Sequence, residues 1–163
     1  MAVSGGQMST GSKVKVKILS PLMKTKIPMP FYATAGSAAM DLHACSENPI
    51  TIPARSRGSI PTGIAIELPS PDLVALIFPR SGLASKHGIS LSNAVGVIDS
   101  DYRGEIICLL KNESDQEFVI RPGDRIAQIA FFPICRMGWE EVAELGETKR
   151  GDGGFGSTGI NKK

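Results

Sequence analysis

The stretch Asn93-Ala94-Val95-Gly96-Val97-Ile98-Asp99-Ser100-Asp101-Tyr102-Arg103-Gly104 puts two acids at the return of a short apolar run. Asp99-Ser100-Asp101 suits an Asx-type turn, in which a carboxylate serves only the backbone. Asp99, directly after Val97 and Ile98, equally suits a general base that activates water for attack on phosphorus. The residues alone leave both readings open. Pro79-Arg80-Ser81-Gly82-Leu83-Ala84 offers a guanidinium and a hydroxyl to phosphate oxygens, with Gly82 allowing close backbone approach. It is also an ordinary strand-to-turn junction with a surface arginine. Arg121 to Gln128 opens on a Pro-Gly turn, and Asp124 there can pair with a nearby arginine. Ala33 to Ala44 joins a turn at Gly36 to a strand carrying Asp41, and a lone acid of that kind is more often solvated than metal-linked.

A fifth segment, Arg150 to Gly159, holds Gly151, Gly153 and Gly156 at GxGxxG spacing. That fingerprint requires a preceding strand and a following helix, and only seven residues follow Gly156. A glycine-rich flexible tail is the plainer reading. Yet Phe155 stands as a lone ring among glycines, flanked by Arg150, Ser157 and Thr158. A strip with many free N–H groups, one stacking ring and a cation suits closure over a nucleotide.

These segments need elements to hold them. Eleven prolines and 18 glycines leave little room for long helices. Val14, Val16 and Ile18 alternate with Lys13, Lys15 and Lys17, as in an edge strand with a lysine face. Ile64, Ile66 and Leu68 alternate after Pro61-Thr62-Gly63. Leu73–Phe78, Ile106–Leu110, Phe118–Ile120 and Ile126–Ile134 are further β-type runs. Short strands separated by turn residues predict a sandwich, jelly roll or barrel. One helix is expected in the Asp72 to Ala84 neighbourhood or near Trp139 to Leu145. The organisation expected is a disordered leader over 1–12, a β-core over 13–145, and an arm over 146–163. The arm's six glycines and single aromatic build no core.

Composition narrows the classes. With 18 Lys plus Arg against 16 Asp plus Glu, the chain has no basic field for wrapping nucleic acid. No apolar run reaches the roughly 18 residues of a membrane helix. Cys45, Cys108 and Cys135 are odd in number and far apart, which predicts reduced thiols and a cytoplasmic location. With no CxxC or HxxxH spacing and only His43 and His87, a protein-ligated zinc is not expected. The sequon at Asn112 is expected to be inert.

In this order and spacing, the five segments resemble the five motifs of the trimeric dUTPases of bacterial type, from about Lys13 to Gly159. The first of these is Ala35-Gly36-Ser37-Ala38-Ala39-Met40-Asp41-Leu42. The resemblance implies an all-β, jelly-roll-like (β-clip) subunit. It implies a homotrimer with active sites at subunit interfaces and a mobile C-terminal arm that closes over a neighbour's site. It implies hydrolysis of dUTP to dUMP and pyrophosphate, which supplies the dTMP precursor and keeps uracil out of DNA.

Roles follow position by position. Asp99 corresponds to the acid that deprotonates the attacking water. Tyr102 corresponds to the ring that packs on deoxyribose and excludes a 2′-hydroxyl. Asn93, Gly96, Val97 and Ile98 correspond to the uracil hairpin, and Ile107 to a wall of its pocket. Arg80, Ser81, Gly82 and Gln128 correspond to phosphate binders, and Asp124 to a residue that orients Arg80. Phe155 corresponds to the ring stacked on uracil, and Arg150, Ser157 and Thr158 to the arm's phosphate contacts. Asp41 corresponds to an acid that reaches Mg2+ through water, the ion itself being held mainly by phosphates. Two departures are Ala39, where many relatives have glycine, and Ser157, where some have histidine.

The related dCTP deaminases share the fold, but their catalytic glutamate would fall at Leu109, and they lack an aromatic at Tyr102. A binding module with lost activity would show decay at Asp99 or in the arm, and both are intact.

Overall fold

The computed structural model describes residues 13–154. Among them are eleven strands and one short helix. The strands are β1 (Lys15–Ile18), β2 (Met40–His43), β3 (Ile50–Ile52), β4 (Arg57–Pro61), β5 (Ile64–Glu67) and β6 (Leu73–Phe78). After helix α1 (Ser81–His87) come β7 (Ile89–Leu91), β8 (Gly96–Ile98), β9 (Ile107–Asn112), β10 (Phe118–Ile120) and β11 (Arg125–Pro133). The expected all-β class is observed, and each named β-type run contains a strand, while β3, β4 and β7 match no such run.

Four small antiparallel sheets share one core. The largest has the order β2-β11-β6-β8, the next β4-β9-β7, and β1-β5 and β10-β3 complete the wall. Nearly every neighbour in the sheets is distant in sequence, so the chain crosses between layers repeatedly, as a jelly roll does. Period-two alternation selects the inner face. On β9, Cys108, Leu110 and Asn112 are buried while Ile107 and Leu109 face outward. Leu42, Ile52, Ile60, Ile89, Ile106, Ile120 and Ile126 fill the centre. Asn112 is buried among them without cost because every polar atom has a partner. Its Nδ2 donates to the carbonyls of Ile52, Pro53 and Gln116, and its Oδ1 accepts from Ser114.

The helix falls at the first of the two expected places, later than the span suggests. Leu73–Phe78 within the first span is strand β6, and the helix starts only at Ser81, after Pro79, and runs on to His87. Gly88, at φ 66°, ends it in the left-handed conformation and donates back to Ala84. Trp139 to Leu145 forms no helix. Seven residues cannot hold a helix without a packing partner. Residues 135–145, expected to belong to the core, are exposed throughout, and the last strand ends at Pro133.

Strand β1 behaves as the lysine pattern predicts: it pairs with β5 alone, and Lys15 meets Glu67 at 2.7 Å. Its apolar side is still partly open. Val14 and Val16 share a hollow with Met29, Met40, Ile66 and Phe131. No helix among the described residues is long and apolar enough to cross a membrane.

Candidate functional site

Two polar constellations stand out beside β6. The first is a cavity of about 380 Å³ under the hairpin of β8 and the chain leading into β9. Asn93, Gly96, Val97, Ile98, Asp99, Tyr102 and Ile107 all line it, so one pocket gathers the residues expected to handle a base, a sugar and a water. Its inner wall adds Ser59, Ile77, Leu91, Cys108 and Leu109.

Local strain shapes the hairpin. Ala94 has φ 60°, and the Val95 N–H donates to the Asn93 carbonyl at 2.6 Å. This i to i+2 bond makes a γ-turn of the uncommon hand, which a non-glycine residue adopts only under constraint. Gly96 lies against Ile77, where a Cβ would come within 3.1 Å of the Ile77 side chain. The hairpin's main chain can therefore lie close to β6.

Asp99 sits at the mouth. The turn that follows is closed by the Tyr102 N–H to the Asp99 carbonyl at 3.2 Å, and Arg103 Nη1 braces it by donating to the Ser100 carbonyl at 2.8 Å. Among the described residues no donor is hydrogen-bonded to the Asp99 carboxylate, so it is not spent on the turn. It also borders a second depression with Pro71, Val74, Asp101 and Arg136. The Tyr102 ring is half exposed at the same mouth, and its hydroxyl donates to the Glu105 carbonyl at 3.0 Å. Leu109, where the deaminase glutamate would fall, is an apolar residue of the wall.

The second constellation surrounds Asp41 on β2. Arg80 Nε donates to Asp41 Oδ1 at 2.9 Å, and Arg125 reaches Oδ2 at 3.1 Å. The register explains the meeting. Asp41 faces Gln128 on β11, and Gln128 faces Phe78 on β6, just before Pro79-Arg80. Gln128 Nε2 donates to the Pro79 carbonyl at 3.0 Å, which fastens the segment that carries Arg80. Ser81 and Gly82 open α1, whose first N–H groups have no partner within the helix. A Cβ at Gly82 would meet nothing within 4 Å, so this backbone is open to a ligand.

Asp124 lines a depression together with Arg80, but its carboxylate accepts from the Arg121 N–H at 2.7 Å and caps its own turn. Asp41, not Asp124, is the acid that holds Arg80 within this chain. His43, two residues along β2, is buried and stacks on Phe31 at 6.4 Å. Burial is the main cause that lowers its pKa below the usual 6.5, with Asp41 acting in the opposite sense.

No group of three or more His, Cys, Asp and Glu side chains among the described residues could cage a metal. Asp41 is the acid nearest the phosphate-type donors, and each of its oxygens still has a lone pair free for water. The donor set suits an ion that arrives already held by phosphates rather than one resident in the protein.

Arg150 lies beyond both sites and folds on its own segment, Nε to the Gly153 carbonyl at 2.8 Å. Phe155, Ser157 and Thr158 lie outside the described residues. Two participants were not legible in the sequence. Arg125, as second partner of Asp41, is 84 positions away. Glu105 bonds Gly63 across 42 positions, and no local pattern announces either.

Register also fixes how far apart the two sites lie. Ile98 faces Ala75, so Asp99 comes beside Val74, whereas Arg80 follows the other end of the strand. Six residues at about 3.3 Å each separate them by roughly 20 Å.

The family profile described as dUTPase matches residues 25–159. A deoxyuridine 5'-triphosphate nucleotidohydrolase of Gamma-proteobacterium EBAC31A08 is 51% identical over 139 residues, covering 85% of this chain and 100% of that one. Among solved structures, the Staphylococcus bacteriophage 80alpha dUTPase with dUPNHPP superposes with a TM-score of 0.79 at 25% identity, covering 91% of this chain and 99% of that one. A dUTPase mutant from phage phi11 of S. aureus, described with a structural Mg(II) ion, has the same fold at 21% identity and a TM-score of 0.70, covering 82% and 98%.

Proposed function

Since this chain belongs to the dUTPase family, we propose that its two constellations are the base-and-water half and the phosphate half of sites completed between subunits. The chain hydrolyses dUTP to dUMP and pyrophosphate. The observation that carries the assembled site is the separation along β6. A nucleotide whose uracil lies under the hairpin leaves the pocket past Asp99, toward the Leu73 end. Arg80, Ser81, Gly82 and Gln128 sit at the Phe78 end. One copy keeps its Asp99 apart from its own Arg80 cluster, and the cluster of a second copy can meet the phosphates. A closed threefold arrangement gives every hairpin an Arg80 cluster from a neighbour.

In this reading uracil is held by the hairpin's main chain and Asn93. Asp99 takes the proton from a water as that water attacks the α-phosphorus. The bond from the α-phosphorus to the bridging oxygen breaks, and pyrophosphate leaves with that oxygen. Arg80, held by Asp41, and the open N–H groups of Ser81 and Gly82 meet the growing charge. Magnesium, if carried in by the phosphates, would supply charge neutralisation of the leaving group. Asp41 would reach the ion through water. Arg150, Phe155, Ser157 and Thr158 belong to the arm that covers the nucleotide, with Phe155 stacking on uracil. Exclusion of water and fixed geometry supply most of the acceleration.

The test is pyrophosphate release from dUTP beside dCTP, dTTP and UTP, with and without magnesium. Release confined to dUTP and dependent on magnesium supports the reading. Deamination of dCTP, or equal turnover of UTP, defeats it.

A further inference from the structure

We propose that Glu105 and Gly104 are positioning residues that set the ring of Tyr102 and thereby determine discrimination against the ribonucleotide. This rests on the reading of Tyr102 as the ring that faces the sugar.

Tyr102 leaves the turn after Asp99 with its ring folded back along its own chain, and two features hold it there. Its hydroxyl donates to the main-chain carbonyl of Glu105 at 3.0 Å. Its face lies on Gly104, where a Cβ would overlap Oη and come within 2.6 Å of Cζ and 3.1 Å of Cε2. Gly104 does not adopt a left-handed backbone, so the ring is what a side chain at 104 would meet. Any side chain at 104 lifts the ring off the chain and toward the cavity mouth.

Glu105 is itself anchored. Its Oε1 accepts from the Gly63 N–H at 2.8 Å, across 42 positions. Gly63 is an immovable partner. It has φ 73°, and a Cβ there would fall 2.5 Å from Cys45 Sγ and 3.0 Å from Met23 Cγ, both in the core. Next to Glu105, Ile106 is clamped on both sides: its N–H donates to the Ile64 carbonyl and its carbonyl accepts from Thr62 Oγ1 at 2.6 Å. The ring is thus fastened to the core through Glu105 and Gly63, although Tyr102 itself is half exposed. A steric gate discriminates by sub-ångström distance, so an anchored ring rejects an added hydroxyl that a free ring would step aside to admit.

The experiment compares kcat/KM for dUTP and UTP in the full chain and in Tyr102→Ala, Gly104→Ala, Glu105→Ala and Glu105→Gln. Glu105→Ala removes one hydrogen bond from the anchor and should narrow the dUTP-to-UTP ratio roughly threefold to tenfold. Glu105→Gln keeps an acceptor for Gly63 and should restore the parent ratio. Gly104→Ala should narrow the ratio at least as much as Glu105→Ala.

Incorporated 3-fluorotyrosine gives a second readout, because the chain has only two tyrosines. The fluorine signal of Tyr102 should shift in Glu105→Ala and return in Glu105→Gln. If Tyr102→Ala collapses the ratio while Gly104→Ala and Glu105→Ala leave it intact, the positioning roles are wrong and the gate stands. If Tyr102→Ala itself leaves the ratio unchanged, the gate is wrong and the positioning roles fall with it. Should Gly104→Ala fail to fold, the Glu105 pair decides alone.

Discussion

Arg80 and Asp41 form a 2.9 Å ion pair in which the arginine side chain is 25% exposed and the acid 15%. The guanidinium therefore presents its remaining donors from a fixed base, which suits recognition of phosphate oxygens.

Replacing Asp41 by Asn leaves Arg80 and Arg125 without their shared counter-charge. The pair is partly solvated, so the expected loss of stability is about 1–2 kcal/mol, below that of a fully buried pair. The larger effect is on substrate: KM for dUTP should rise about tenfold as Arg80 loses its orientation. Steady-state kinetics and urea denaturation separate the two. An unchanged KM would mean that Asp41 does not position Arg80 for binding.

Asp99→Asn should retain nucleotide binding, because the hairpin is closed by backbone bonds that the change does not touch. Turnover should fall by about 10²- to 10⁴-fold, the usual cost of losing a general base. Calorimetric titration with a non-hydrolysable dUTP analogue, beside a pyrophosphate assay, reads both quantities. Turnover close to the parent rate would return Asp99 to the role of a turn residue.

A chain ending at Gly146 should still fold, since its last strand ends at Pro133. It should lose most activity with the arm. Co-expressing it with full-length Asp99→Asn should restore part of the activity in mixed oligomers, because an intact Asp99 then meets an intact arm from another copy. Verified mixed oligomers that never exceed either parent would show that the arm serves its own subunit's Asp99 or serves no catalytic step.

His43 carries a pH signature. Burial lowers its pKa in the folded chain, so the unfolded chain takes up the proton first as pH falls. The stabilisation is complete above the unfolded value near 6.5 and is lost as pH falls through the lower folded value. Urea midpoints at pH 7.5 and 5.5 should differ more in the parent than in His43→Gln. Equal differences would remove His43 from the acid sensitivity of the fold.

The sequence by itself determined most of the strands but not β3, β4 or β7, because period-two alternation and apolar runs are local properties of a chain and these three hold neither an apolar run nor an alternation long enough to read. The runs from Leu73 to Phe78 and from Phe118 to Ile120 became β6 and β10 with those bounds. It also determined the catalytic vocabulary, since the motifs bearing Arg80, Asp99 and Tyr102 are contiguous and ordered. Tertiary structure alone decided which of these residues meet. The partner of Arg80 is Asp41 rather than Asp124, because β2, β11 and β6 lie side by side in a register that no local pattern encodes. The fate of Trp139 to Leu145 was likewise undecidable from spacing: Trp139 is fully exposed, and a helical pattern orders a helix only where another surface covers its apolar side. The separation of Asp99 from Arg80 belongs to the same class. Both flank one strand of six residues, and only the pairing of β8 with β6 shows that they stand at its opposite ends.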